Sequence, residues 1–194
     1  SPLFEKSSID EFYIDVTGMD RFFGCYKWGS WLRKRIINES GLPISMGLSI
    51  NKLVSKVATG ESKPNGQKHI LEGREKAFLD PLPIRKIPMV GEKTGQFLME
   101  MGIKTVHTLR LMPVEMLQAA FGKNGTVLWK RANGIDHSPV VPYSEQKSIS
   151  TEMTFESDTI DVKMMKSVIT AMVEKIAFQL RKEQKLTSCI AVKI

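Results

Sequence analysis

The sequence is poor in the residues that build cross-linked or metal-clamped frameworks. Its two cysteines, Cys25 and Cys189, stand far apart. They give neither a disulfide framework nor a zinc spacing, which suits a reducing cytosol. The three histidines, His69, His107 and His137, are scattered and form no ligand set. No Ser-His-Asp or Cys-His arrangement can be argued from them. No apolar run approaches the ~20 residues needed to span a bilayer. The N-terminus lacks the basic-then-apolar order of a signal peptide, so the expected location is the cytoplasm. A Gly-rich phosphate loop is missing, which argues against a small-molecule kinase or phosphatase. There is no internal repeat and no low-complexity stretch.

What is present is an ordinary globular composition with a basic bias. The 194 residues are 42% hydrophobic and 25% charged, enough for one or two domains. Lys and Arg number 28 against 21 Asp and Glu, a net charge of +7. The excess is local: residues 84–134 hold eight Lys/Arg and three Glu, which leaves +5 there. A local excess points to a surface made for phosphates.

The patterning divides the chain into segments 1–83, 84–134, 135–146 and 147–194. In the first, residues 9–16 read as a strand with Asp10, Phe12, Ile14 and Val16 on one face. Gly18 and residues 21–24 form a loop. Residues 26–40 read as an amphipathic helix ended by Gly41, with Trp28, Trp31, Leu32 and Ile36 as core. A strand over 44–48, a helix over 51–59, a Lys63–Gly66 turn and a short strand over 68–71 complete a unit with one sheet. Residues 84–134 read as short helices separated by Pro88, Gly91, Gly102, Pro113, Gly122, Gly125 and Gly134. Residues 135–146 read as an extended linker. The last segment gives strand 149–155, helix 162–182 and strand 188–194. Under fifty residues in that order cannot bury the helix's apolar face well.

Chemistry is carried by few residues. Asp10 and Glu11 are neighbours whose side chains would point to opposite faces of a flat strand. They reach one metal only if the chain bends there. Asp15, further on, reads as structural. Oxygen ligands suit Mg²⁺, which keeps waters or phosphates in its shell. Lys63, ahead of a Pro64-Asn65-Gly66 turn, can reach a phosphate as a point charge. Lys52 and Lys56, four apart, share one helix face, which solvation explains equally well. Residues 85–102 look like a helix-hairpin-helix, whose helix N-terminus presents N–H groups to a phosphate. Such a hairpin usually carries two glycines; here Met89 takes the first position and Gly91 the second. Glu92 suits the helix dipole but repels phosphate.

Five ordered motifs, SSIDEFYIDVTG, GLPISMGLSINKLVSKVATGESKPNGQ, FLDPLPIRKIPMVGEKT, FGKNGTVLWKRANGIDHSPV and KSISTEMTF, together resemble the Y-family, translesion DNA polymerases of bacteria. The resemblance covers essentially the whole chain. It implies an α+β fold: the C-terminal part of a palm (1–83), an all-helical thumb with a helix-hairpin-helix (84–134), a linker (135–146) and the start of an α/β little finger (147–194). It implies Asp10 and Glu11 as catalytic metal ligands and Lys63 as a contact of the incoming triphosphate. Gly91, Lys93 and Thr94 would approach the DNA backbone. The implied cofactor is Mg²⁺ in a two-metal site, incomplete here because the family's earlier strand with another aspartate, and its fingers, are not in the sequence. The implied partners are primer-template DNA, a deoxynucleoside triphosphate and a sliding clamp. The chain is therefore expected to be an internal fragment, inactive alone. A non-catalytic helix-hairpin-helix DNA-binding module is the alternative, and it leaves Asp10 and Glu11 without a task.

Overall fold

The computed structural model describes residues 3–21, 24–142 and 146–193, the side chain of Asp20 aside. Two compact units divide the chain, 1–143 and 144–194. Within the expected segments, Phe22, Phe23, the 143–145 stretch of the linker and the terminal Ile194 lie outside the described residues.

The first unit opens with a hairpin. Strands β1 (Leu3–Lys6) and β2 (Phe12–Asp15) pair antiparallel, with Leu3 opposite Asp15 and Lys6 opposite Phe12. Expectation and structure differ here, since β2 begins at Phe12 rather than at residue 9. The backbone N–H groups of Ser7 and Ser8 donate to the Glu11 carbonyl, 2.9 and 3.2 Å, and turn residues 7–11 into the loop that joins the strands. Asp15 is structural as expected: its carboxylate accepts the Thr17 N–H and O–H at 2.9 and 2.6 Å.

Helix α1 (Cys25–Ser40) ends on Gly41, whose φ of 71° is the left-handed conformation that glycine adopts without steric cost. Its aromatic face is a correction to the sequence reading. Gly29 is its one buried residue, and Trp31 is 52% exposed with the Arg35 guanidinium 5.4 Å above its ring. The helix approaches β3 most closely at Gly29, where an added Cβ would lie 3.1 Å from the Met46 sulfur, and Tyr26 and Ser30 accept from the Gln67 side chain at 2.9 and 3.0 Å. The core gathers elsewhere, around Val54, Leu79, Ile84, Leu98 and Leu109.

Strand β3 (Met46–Leu48), helix α2 (Lys52–Gly60) and strand β4 (Gln67–His69) form a β-α-β unit, β3 and β4 parallel. Asn51 caps α2 by accepting the Val54 N–H at 2.9 Å. The described strands make two separate two-stranded ladders, where one sheet was expected. No backbone ladder joins β2 to β3 among the described residues, so alternation alone did not fix the pairing.

Residues 75–132 fold as helices α3 (Glu75–Leu79), α4 (Glu92–Glu100), α5 (Val106–Leu111), α6 (Val114–Phe121) and α7 (Lys123–Ala132). Gly91, Pro113, Gly102, Gly122 and Gly134 flank these helices as the sequence suggests. Gly125 does not separate helices: it lies buried inside α7.

The second unit is built on α8 (Val162–Lys182), capped by Asp161 accepting from Lys163 and Met164 N–H. None of its residues is buried, in keeping with the expectation for so short a segment. Residues 149–155 and 188–193 are not strands. Alternation marks a potential strand, but the extended backbone is held only by a hydrogen-bonded neighbour, and neither segment pairs with one among the described residues.

Candidate functional site

Placing the hairpin loop at residues 7–11 resolves the geometric problem of two adjacent carboxylates. Asp10 and Glu11 occupy the bend at the tip, where neighbouring side chains need not alternate. The Asp10 carboxylate accepts the Ser8 hydroxyl at 2.7 Å and is exposed. That hydrogen bond holds its pKa below the usual range against desolvation, and the Lys63 and Lys56 charges also lower it. Glu11 forms an ion pair with Lys56 of α2. The same hydrogen bond raises the Lys56 pKa, opposed by desolvation and helped by the charges of Tyr13, Glu11 and Asp10.

Lys63 sits exposed on the turn after α2; its N–H donates to the Gly60 carbonyl at 3.3 Å, and its side chain makes no hydrogen bond or ion pair with other described residues. The turn itself is held from α1. Arg33 donates through Nε to the Ile44 carbonyl at 2.8 Å and through Nη2 to the Asn65 carbonyl and side-chain oxygens, both at 2.5 Å. Asp10, Glu11, Lys56, Lys63 and Gly91 all line one open cleft of about 1910 Å³. Lys93 and Thr94 lie on the first turn of α4 and do not line it.

The hairpin of residues 84–91 is the other wall. Ile84–Lys86 form a 3₁₀ turn, and the Val90 N–H donates to the Ile87 carbonyl at 3.1 Å. Ile87 and Val90 are buried beneath it. Gly91 starts α4 without a side chain to cap it, so the first N–H groups of the helix are left open. Met89, at the first glycine position of the usual hairpin, has φ 73°.

A second network fixes the β1–β2 hairpin to α2 and to residues 134–141. Lys52 donates to both Glu5 carboxylate oxygens at 2.7 Å and lies 4.8 Å above the Tyr13 ring. Glu5 also accepts the Val141 N–H at 2.7 Å. The Lys52 hydrogen bond, then that N–H, lower its pKa against burial. Asp136 accepts the Leu53 N–H at 3.0 Å, and Asn51 donates to the Gly134 carbonyl at 2.8 Å. Burial alone would raise the Asp136 pKa, but hydrogen bonds from Ser138 and Leu53, with the nearby Arg131 charge, bring it below the usual range.

Sequence reasoning did not find the roles of Glu5, Arg33, Lys52 and Asp136. Arg33 acts 32 positions away and carries no local signal. Asp136 two residues before Ser138 does signal a polar turn, but not which helix it would also cap. Lys56 was legible only as one charge on a helix face, not as the partner of Glu11.

Carboxylate oxygens at the tip have the chemistry to hold a hard divalent cation. No group of three His, Cys, Asp or Glu converges among the described residues, and Glu11 would have to exchange Lys56 for the metal.

The described residues thus form a mixed helix-and-sheet fold with an acidic hairpin tip, facing lysines and a helical hairpin. The profile of the impB/mucB/samB family matches residues 1–60, and that of the same family's C-terminal domain matches 146–194. The thumb-domain profile of DNA polymerase-iota matches residues 85–136. The chain belongs to this family, the Y-family DNA polymerases.

Among curated relatives, a DNA polymerase IV of Dehalococcoides mccartyi is 39% identical over 100% of this chain and 50% of its own length. The DNA polymerase IV of Xanthomonas campestris is 38% identical over 99% and 54%. The chain thus spans about half the length of the curated relatives it matches. A solved Y-family DNA polymerase chimera is 27% identical with a TM-score of 0.78, covering 90% of this chain and 52% of that one. DinB from Sulfolobus solfataricus is 25% identical with a TM-score of 0.64, over 90% and 52%. No helix among the described residues is long and apolar enough to cross a membrane.

Proposed function

We propose that this chain contributes to translesion DNA synthesis by template-directed nucleotidyl transfer. The carrying observation is the placement of Asp10 and Glu11 on a bend opposite Lys56 and Lys63, inside one cleft that the Gly91 hairpin also lines. A non-catalytic hairpin module would leave that constellation without a task.

In this reading residues 1–83 are part of a palm, 84–134 a thumb with a helix-hairpin-helix, 135–146 a linker and 147–194 part of a little finger. Asp10 and Glu11 are the ligands for divalent metal, with Mg²⁺ the ion their oxygens suit. Such an ion, when bound, neutralises charge developing on the transferred phosphate. Lys56 holds Glu11 in place. Lys63, free of other partners, meets the triphosphate of the incoming nucleotide. Gly91, Lys93 and Thr94 hold the DNA backbone through open N–H groups and charge, contacts that position without reading sequence. Primer-template DNA and a deoxynucleoside triphosphate are the partners, and a sliding clamp is a third implied by the resemblance. A cytoplasmic location fits the two unpaired cysteines.

The test is a chimera in which residues 1–194 replace the matching half of the Dehalococcoides mccartyi DNA polymerase IV. It should extend a primer with Mg²⁺. Glu11→Ala in the chimera should slow extension by at least about a hundredfold, the scale of one transition-state charge contact, with DNA affinity nearly unchanged. Extension at the parental rate by the Glu11→Ala chimera would remove Glu11 from the site.

A further inference from the structure

The hairpin that begins α4 contains a backbone conformation its sequence disfavours. Met89 has φ 73°, in the left-handed region where a side chain carries a steric penalty and glycine carries none. Its side chain is 65% exposed, so no packing of its own offsets that penalty. Something else must hold the turn.

The peptide unit between Pro88 and Met89 is planar, so its orientation fixes ψ of Pro88 and φ of Met89 together. One side chain grips that unit. Arg131, from the last turn of α7, donates through Nη1 to the Pro88 carbonyl at 2.6 Å. The bond is charge-assisted and partly buried, which places it among the stronger kinds. It spans 43 positions of sequence and ties the turn to a helix anchored in the core by Leu128 and Ala132. On the other side Gly95 lets α4 close against Arg85: a Cβ there would stand 3.1 Å from Arg85 Nε. The turn is therefore clamped at its carbonyl while its helix is seated from below.

We infer that Arg131 is the positioning residue of the DNA-backbone hairpin, holding Met89 in the left-handed conformation that presents the N–H groups at the start of α4. It acts through the turn and not on DNA. The inference rests on the thumb reading proposed above. Without the clamp, only a fraction of molecules has the hairpin formed, and apparent affinity falls by that fraction.

The experiment measures binding of the 194-residue chain to a primer-template duplex as a function of salt, with thermal melting of each variant as a folding control. Arg131→Gln should weaken binding on the order of tenfold and leave the slope of log Kd against log salt unchanged. Adding Met89→Gly removes the steric penalty, so the Met89→Gly/Arg131→Gln double variant should return to within about threefold of the parent. Met89→Gly alone should bind at least as tightly as the parent. The Arg131 charge also acts on Asp136, and a defect arising there would not be rescued by glycine at 89. If Arg131→Gln does not fold, Arg131→Met, which keeps the aliphatic stem but has no donor, replaces it in the same cycle. Unchanged affinity in the Arg131 variant overturns the inference. So does failure of the glycine rescue, or a slope lowered by about 0.9, which would make Arg131 itself a phosphate contact. If the parent chain shows no salt-dependent binding at all, the thumb reading fails instead.

Discussion

Asp80 accepts both arms of one guanidinium: Arg110 Nε and Nη2 each donate to it at 2.8 Å, and His107 Nδ1 lies 3.1 Å away. The Arg110 hydrogen bonds hold its pKa below the usual range, against burial, with His107 adding to the effect. A carboxyl whose folded pKa is lowered stabilises fully above its unfolded value near 4, and that contribution is lost as pH falls through the folded value. Melting temperature should therefore fall steeply below about pH 4, and Asp80→Asn should remove part of that fall. At neutral pH the substitution should cost about 1.5–3 kcal/mol, the range for hydrogen bonds to a charged group. A pH series of melting curves on both proteins checks this; parallel curves would show that the pair contributes nothing. At this scale the sequence offered charges without partners. Glu11 with Lys56 and Asp80 with Arg110 are pairs that only folding brings into contact.

Among the elements, α6 and α7 show how a local reading can be right about type and wrong about role. Gly125 reads as a breaker, because glycine weakens helices by about 1 kcal/mol relative to alanine. In the fold it is where α7 crosses the middle of α6: an added Cβ would stand 2.0 Å from the Leu117 carbonyl oxygen and 2.7 Å from the Gln118 nitrogen. Those are backbone atoms and cannot swing aside. Gly125→Ala should therefore lose more to overpacking, roughly 3 kcal/mol, than it gains in helix propensity. Denaturant unfolding decides it, since a more stable variant would refute the crossing. The end of α1 at Gly41 was legible because its signal is local, whereas the caps that Asn51, Thr105 and Asp161 supply from one residue before each helix were not read from the sequence. Strands were less legible. Their partners lie at arbitrary distance, which is why β1 was missed and residues 149–155 were read as a strand.

The basic excess in residues 84–134 belongs to the whole molecule, because it acts as a field rather than through one contact. DNA affinity of the chain should fall steeply with salt and be indifferent to base sequence, as counterion release requires. Titrations from 50 to 200 mM salt on unrelated duplexes test it, and a flat response would count against the basic face. The sequence by itself determined helices α1, α2 and α8, the stop at Gly41, the turn at Lys63 and the order of motifs that marks the family. All are written within a few residues of where they act. The tertiary structure alone decided that Asp10 and Glu11 sit on a bend, that Lys56 faces Glu11, that Arg33 and Arg131 hold two turns, and that Trp31 lies open. The contacts of Lys56, Arg33 and Arg131 join residues tens of positions apart, and local patterning carries no record of which distant surface the chain will meet.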